Sequence, residues 1–155
     1  MLQPFFEWMG QTWVSKAISA SIWIYPLDQA IHLVFVALFA GAVLIVDLRL
    51  LGWGMKEQPL AQVARDAQRW LIGGLLGLAV TGIPQLIQNA SREYFSEFFW
   101  YKMYLLAAGL IFTFTIRRKV TQAPEPGVLG RIVGFVSIVL WAGVVMNARL
   151  IGLFS

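Results

Sequence analysis

The chain has 155 residues, 59% of them hydrophobic and 13% charged, against roughly 25% charged in a soluble domain, so it has too little charge to face water all round and its outer solvent is expected to be lipid. The absence of cysteine excludes disulfides, iron–sulfur clusters, thiolate zinc sites and covalently attached haem. The formal charge of +4 does not point to nucleic acid, because the cations flank apolar runs, as topology signals do.

Residues 1–24 come first. Gln3, Glu7 and Gln11 recur at helical spacing, and Phe5, Met9 and Trp13 form a second stripe. This pattern predicts an amphipathic helix lying on the membrane. Lys16 is the sole cation before the first span, and no charged start precedes an apolar core, so a cleaved signal peptide is not expected.

Residues 25–155 follow. A bilayer core needs roughly 20 mostly apolar residues per helix. Four stretches qualify, over about 27–46, 70–87, 98–116 and 132–153. Aromatic residues crowd their ends: Trp23 and Tyr25, Trp53, Trp70, and the run YFSEFFWY at 94–101. Such belts mark the two water interfaces. The expected fold is all-α, a transmembrane four-helix antiparallel bundle with an N-terminal interfacial amphipathic helix.

Orientation follows from the cations. Arg49, Lys56, Arg65 and Arg69 lie between spans one and two, and Arg117, Arg118, Lys119 and Arg131 between spans three and four. Lys16, Arg92, Lys102 and Arg149 lie on the other side. The positive-inside rule puts the basic loops in the cytoplasm and both termini outside it, in a setting that reads as a bacterial inner membrane. The segment APEPG at 123–127 is a turn-forming linker, and no soluble catalytic domain is visible.

Between helices bathed in lipid, close packing and a few hydrogen bonds replace the hydrophobic drive. Gly73, Gly74 and Gly77 in span two, with Gly73/Gly77 as a small-xxx-small pair, Gly130 and Gly134 in span four, and Ala30, Ala37 and Gly41 in span one are the small-residue faces expected to pack, within the bundle or between copies. Pro84 removes the hydrogen bond to the Val80 carbonyl and predicts a kink, with Thr81, water or a neighbouring helix taking the freed oxygen.

His32, the sole histidine, lies roughly 8 Å into the first span at 1.5 Å per residue. Asp28 precedes it by one turn on the same face. Gln85, Gln88 and Asn89 in span two, Lys102, Met103 and Tyr104 in span three, and Asn147 and Arg149 in span four fall at a comparable depth. An ionisable group inside a membrane is costly and normally faces the bundle interior with a partner. The expected partnerships are an Asp28–Arg149 pair and an Asp28–His32 hydrogen bond. Three readings stay open: a buried polar cluster that fixes helix register, a b-type haem site with His32 as metal ligand, and a small-molecule or proton site, for instance for quinone. In the haem reading, Met103, Tyr104 and Asn147 contact the cofactor. A second axial ligand comes from Met103, Met146 or the His32 of another copy, or the iron is five-coordinate. At the other end of span one, Asp47 is expected to pair with Arg69, Arg117 or Arg131, with Arg49 beside it. No nucleophile elbow, phosphate loop or multi-histidine metal motif is present in the sequence, so an enzymatic activity is left open. The expected partners are the bilayer and either further copies of the chain or other membrane subunits.

The stretch YPLDQAIHLVFVALFAGAVLIVDLRLLG at 25–52 resembles the first span of a family of small bacterial four-helix integral membrane proteins of uncharacterised function. TG at 81–82, FFWYKM at 98–103 and WAGVVMNARLIG at 141–152 resemble that family's later spans. More distantly, the histidine-then-glycine first span is similar to copper-resistance D-like proteins and to membrane protoporphyrinogen oxidases, some of which bind haem. That similarity implies His32 as a haem ligand and Lys102 as its partner at the membrane edge. The additional histidines of the distant families are missing here.

Overall fold

A computed structural model describes residues 1–154 as seven helices: α1 (Gln3–Gly10), α2 (Trp13–Ala20), α3 (Ile24–Leu51), α4 (Leu60–Gln88), α5 (Ala90–Tyr94), α6 (Glu97–Thr121) and α7 (Gly127–Phe154). Of these, α3, α4, α6 and α7 are long and apolar enough to cross a membrane. Each is longer than its apolar run, because polar turns extend it beyond the hydrocarbon. Large apolar side chains such as Val34, Leu76, Val80, Ile111 and Phe135 point outward and are exposed. This is the distribution a lipid solvent tolerates and water does not.

Both chain ends lie at one end of the bundle, where Phe6 of α1 packs with Phe99 and Ile151 and the rings of Phe98 and Phe154 stand 5.9 Å apart. We call this the terminal end. The opposite, basic end holds the 52–59 and 122–126 connections. There α3 stops at Gly52, which adopts φ +79°, a left-handed conformation that glycine reaches without steric cost. The amide of Trp53 then returns to the Leu48 carbonyl at 2.9 Å, closing the helix end.

The amphipathic N-terminal segment divides into two short helices. The break falls at Thr12, whose hydroxyl accepts the Ser15 amide at 3.4 Å and so starts α2 with a side-chain cap. Phe6, Met9, Ser15 and Ile18 turn inward, while Phe5 and Trp13 of the anticipated stripe are exposed.

The spanning helices form an open arc in the order α4–α3–α7–α6. Helix α3 packs against α4 and α7, and α7 against α6, whereas α4 and α6 make no comparable contact. The arc is tied across its two ends. Leu60 and Val63 of α4 meet Val120 of α6 at the basic end. Met9 of α1 and Ala90 of α5 join Phe99 of α6 at the terminal end.

Glycines set the helix separations. A Cβ on Gly74 would lie 2.9 Å from the backbone nitrogen of Phe39, and one on Gly134 would lie 3.0 Å from the carbonyl oxygen of Asp47. The packing face of α4 is therefore Gly74 with Gly77. The anticipated Gly73/Gly77 pair is corrected, because Gly73 faces open space. The anticipated face of Ala30, Ala37 and Gly41 is also absent from the bundle interior. Both alanines are exposed and nothing approaches Gly41, since α3 instead buries Phe39, Ala42, Val43, Val46 and Asp47. Helix α4 runs unbroken through Pro84.

One irregularity lies in α6, where residues Thr113–Arg117 form a single π turn. A π turn adds a residue per turn and re-aims the side chains around it. Here both of its end residues, Thr113 and Arg117, point into the bundle and are buried. The Thr113 hydroxyl accepts the Trp141 indole N–H at 3.2 Å.

Candidate functional site

Two polar assemblies occupy the spanning region, one toward each end. Toward the terminal end, α3 and α4 face each other with polar residues at matching three- and four-residue intervals, which puts each set on one helical face. Nδ1 of His32 lies 2.6 Å from Oγ1 of Thr81. Nε2 of Gln85 donates to Asp28 at 3.0 Å, and Nδ2 of Asn89 donates to the Tyr25 hydroxyl at 3.4 Å. The result is a three-rung zipper between antiparallel helices.

The zipper corrects both anticipated partnerships of Asp28. The carboxylate takes an amide proton from α4 rather than pairing with Arg149 or His32. Arg149 is exposed at the end of α7, and the Asp47–Arg117 pair is the only ion pair among the described residues. The freed Val80 carbonyl does not draw the Thr81 hydroxyl either, because Thr81 donates to the Gly77 carbonyl at 2.7 Å.

That last bond assigns the imidazole tautomer. The Thr81 hydroxyl has one proton and spends it on Gly77, so its oxygen accepts from His32. Nδ1 therefore carries a hydrogen, and no hydrogen bond of Nε2 occurs among the described residues. Gly82 lies beside the ring, where a Cβ would stand in ordinary contact 3.5 Å from Cε1 of His32. The imidazole is half-buried. Lys102 of α6 is near enough to act electrostatically on both His32 and Glu93. Glu93 lies in α5, outside the spans. Burial pushes its carboxyl above the ordinary range, and the Lys102 and Arg92 charges oppose that in part.

The remaining anticipated contacts are looser. Met103 is 39% and Tyr104 69% exposed on α6, and Met146 of α7 is 64% exposed. None is packed against the imidazole by a described contact. Asn147 turns its amide back to the Gly143 carbonyl of its own helix at 2.9 Å. No group of three or more histidine, aspartate or glutamate side chains able to hold a metal ion occurs among the described residues.

Toward the basic end, Asp47 is fully buried and Arg117 is 5% exposed. Nε of Arg117 donates to Oδ1 of Asp47 at 2.8 Å, and Nη2 donates to the Val43 carbonyl at 2.9 Å. Of the three arginines that sequence offered to Asp47, the structure selects Arg117, because the π turn aims it inward. Arg49 instead reaches the Gln58 carbonyl through Nε at 3.1 Å, pinning the 52–59 connection. The second carboxylate oxygen of Asp47 and the hydroxyl of Ser137 are both buried and interact with each other, outside strict hydrogen-bond geometry.

Thr81 is the residue that sequence reasoning did not assign to His32. The signal for it was present: Tyr25, Asp28 and His32 match Asn89, Gln85 and Thr81 in reversed order at helical spacing.

A protein-family model described as a family of unknown function (DUF6644) matches residues 5–155. No curated protein and no solved structure matches the chain, so the distant similarity to copper-resistance D-like proteins finds no support there.

Proposed function

The chain belongs to the family of unknown function DUF6644, and for this member we propose that the terminal-end face of α3 binds a b-type haem through His32. The observation that carries the reading is the imidazole. Its Nδ1–H is held by Thr81, so in the neutral ring Nε2 is the nitrogen that offers a lone pair. A hydrogen bond at the far nitrogen orients a metal-ligating histidine and raises its basicity. In this proposal a flat, lipid-soluble ring enters from the side between α4 and α6, whose backbones approach each other less closely than those of the other neighbouring spans. Lys102, Arg92 and Arg149 supply cations at the same end, as the propionate carboxylates of a haem require. When bound, the iron supplies one-electron chemistry. His32 would hold the iron through its Nε2, and a second ligand would have to come from outside the bundle interior or from another copy.

In this proposal the protein sits in a bacterial inner membrane. Eight lysines and arginines gather at the basic end against four at the other, which places the basic end in the cytoplasm and both termini outside.

A second reading is supported by the zipper. His32, Asp28 and Tyr25 each bond α4, so the imidazole also serves as a structural rung. The chain is then a non-catalytic subunit, and the exposed Ala30–Ala37–Gly41 face is where another copy or a partner subunit seats.

Visible spectra separate the two. Protein purified from membranes, or supplied with haemin, gives a Soret band that His32→Ala abolishes, and Thr81→Val retains the band while shifting the reduction potential. A wild-type protein with no Soret band under either condition refutes the haem reading. If His32→Ala then lowers the unfolding temperature of that haem-free protein, the structural reading stands.

A further inference from the structure

At the basic end, away from His32, a cleft of about 50 Å³ lies between α4 and α6, with Val46 of α3 between them. Gln68 and Leu71 line it from α4, and Phe114, Arg117 and Arg118 from α6. Gln68 and Leu71 bracket Trp70 in the chain, whose ring is exposed. An exposed tryptophan beside a run of cations marks the interface, so the cleft sits at the depth where lipid phosphates begin. Neither the haem reading nor the zipper uses it.

Three features of this cleft point to one kind of occupant. First, it reaches a buried cation that has a donor to spare. Arg117 is 5% exposed and spends Nε on Asp47 and Nη2 on the Val43 carbonyl. Those two nitrogens form one edge of the planar guanidinium, and the N–H bonds of Nη1 point away from that edge. Nη1 makes no hydrogen bond among the described residues, yet it is not fully buried, so it is reachable through the cleft that Arg117 lines. Second, the charged groups of the lining, Arg117 and Arg118, are both cations. Asp47 has no exposure and lies behind Arg117, so it offsets one of them and leaves a net positive charge toward the cleft. Third, the half-buried Gln68 adds amide N–H donors that no described residue accepts. Donors left unmade at a sheltered site cost free energy, and these, with the positive charge, call for an anionic acceptor. Between two spanning helices at this depth, that acceptor is the phosphate of a lipid.

We propose that this cleft seats the phosphate of an anionic phospholipid. Arg117 presents Nη1 from the bundle interior, Arg118 closes on the phosphate from α6, and Gln68 donates from α4. Hydrogen bonds from a guanidinium to phosphate oxygens are among the strongest a protein makes. Leu71 and Phe114 lie one turn deeper on their helices and meet the first methylenes of the acyl chains. No carboxylate lines the cleft, so the ammonium of an ethanolamine or choline headgroup finds no counter-charge there. A lipid with net negative charge, such as phosphatidylglycerol, is thus preferred to both. Seated there, the lipid ties α4 to α6 across the mouth of the arc.

The test uses the full chain in nanodiscs of equal parts phosphatidylglycerol, phosphatidylethanolamine and phosphatidylcholine, with lipids retained on release read by native mass spectrometry. One phosphatidylglycerol is expected to stay bound per chain. Arg118→Gln, at an exposed position where folding is not at issue, is expected to cut that retention about tenfold, as loss of a hydrogen bond to a charged group does. Arg131→Gln removes the same charge at the same end but outside the cleft, and should leave retention unchanged. The paired change Asp47→Asn with Arg117→Gln keeps the net charge and removes the guanidinium. It should abolish the preference for phosphatidylglycerol in protein whose tryptophan fluorescence reports a folded state. Equal retention of the three lipids, or a loss with Arg131→Gln as large as with Arg118→Gln, overturns the proposal, since either reduces it to general surface charge. In a second arm, inorganic phosphate is titrated into delipidated protein in detergent. Binding of phosphate there, with no lipid retained from the nanodiscs, assigns the cleft to a free anion and overturns the lipid as its occupant.

Discussion

Replacing Arg117 by alanine is expected to be the most damaging single truncation in the spanning region. In the intact protein its guanidinium meets Asp47 at 2.8 Å and the Val43 carbonyl at 2.9 Å. Without it, a carboxylate with no exposure to solvent loses its only charged partner, and Oδ1 loses its hydrogen bond. Removing one member of a buried pair typically costs about 3–5 kcal/mol. Protonation gives an independent scale. Neutralising a carboxyl of ordinary pKa near 3.9 at about pH 7 requires roughly 4 kcal/mol at 1.36 kcal/mol per pH unit, to which burial of the unpaired neutral acid adds. The reverse change is milder. Asp47→Asn keeps the side-chain volume, and the long stem of Arg117 lets its charge swing toward the basic end and water, for a loss of about 1–3 kcal/mol. Neutralising both, as Asp47→Asn with Arg117→Gln, should recover about half of the Arg117→Ala deficit or more. Equilibrium unfolding in mild detergent, followed through the seven tryptophans, measures all three. An Arg117→Ala protein within about 1 kcal/mol of wild type, or an Asp47→Asn protein less stable than it, refutes the reasoning.

Three further outcomes are expected. Gly74→Ala forces a Cβ to 2.9 Å from the Phe39 backbone, which no rotamer relieves, and should cost about 1–3 kcal/mol; Gly73→Ala, into open space, should leave the same unfolding midpoint unmoved. Glu93 has its folded pKa raised above the ordinary 4.5, so the folded state holds that proton longer than the unfolded state. Stability should therefore fall as pH rises from about 4.5 through the folded value. Glu93→Gln should flatten this limb, and a pH profile parallel to wild type would contradict the assignment. Because the chain has no cysteine, single-cysteine labelling is unambiguous. An impermeant maleimide should reach Gln3→Cys in intact cells and Glu57→Cys only after permeabilisation, and labelling in the opposite order reverses the proposed topology.

The division of labour between sequence and tertiary structure is clear in this chain. Four helices long and apolar enough to cross a membrane, and a separate helical start, were legible in the sequence because each is a local property: transfer of about 20 apolar residues into hydrocarbon does not depend on what the neighbours do. The need of Asp47 for an arginine was legible for the same reason, since a buried acid demands a cation wherever it is. Which arginine it finds was not legible, because the choice rests on the π turn at 113–117. Nor was the partner of His32. Sequence placed Asp28, His32, Gln85 and Asn89 at one depth, yet pairing across helices depends on rotation about each axis. That rotation is fixed where Gly74 and Gly77 admit Phe39 and Phe35, and it turns Thr81 rather than Asp28 toward the imidazole. Depth in a membrane is set residue by residue through solvation, whereas azimuth is set by the fit of one helix surface against another, and only the folded chain has that fit.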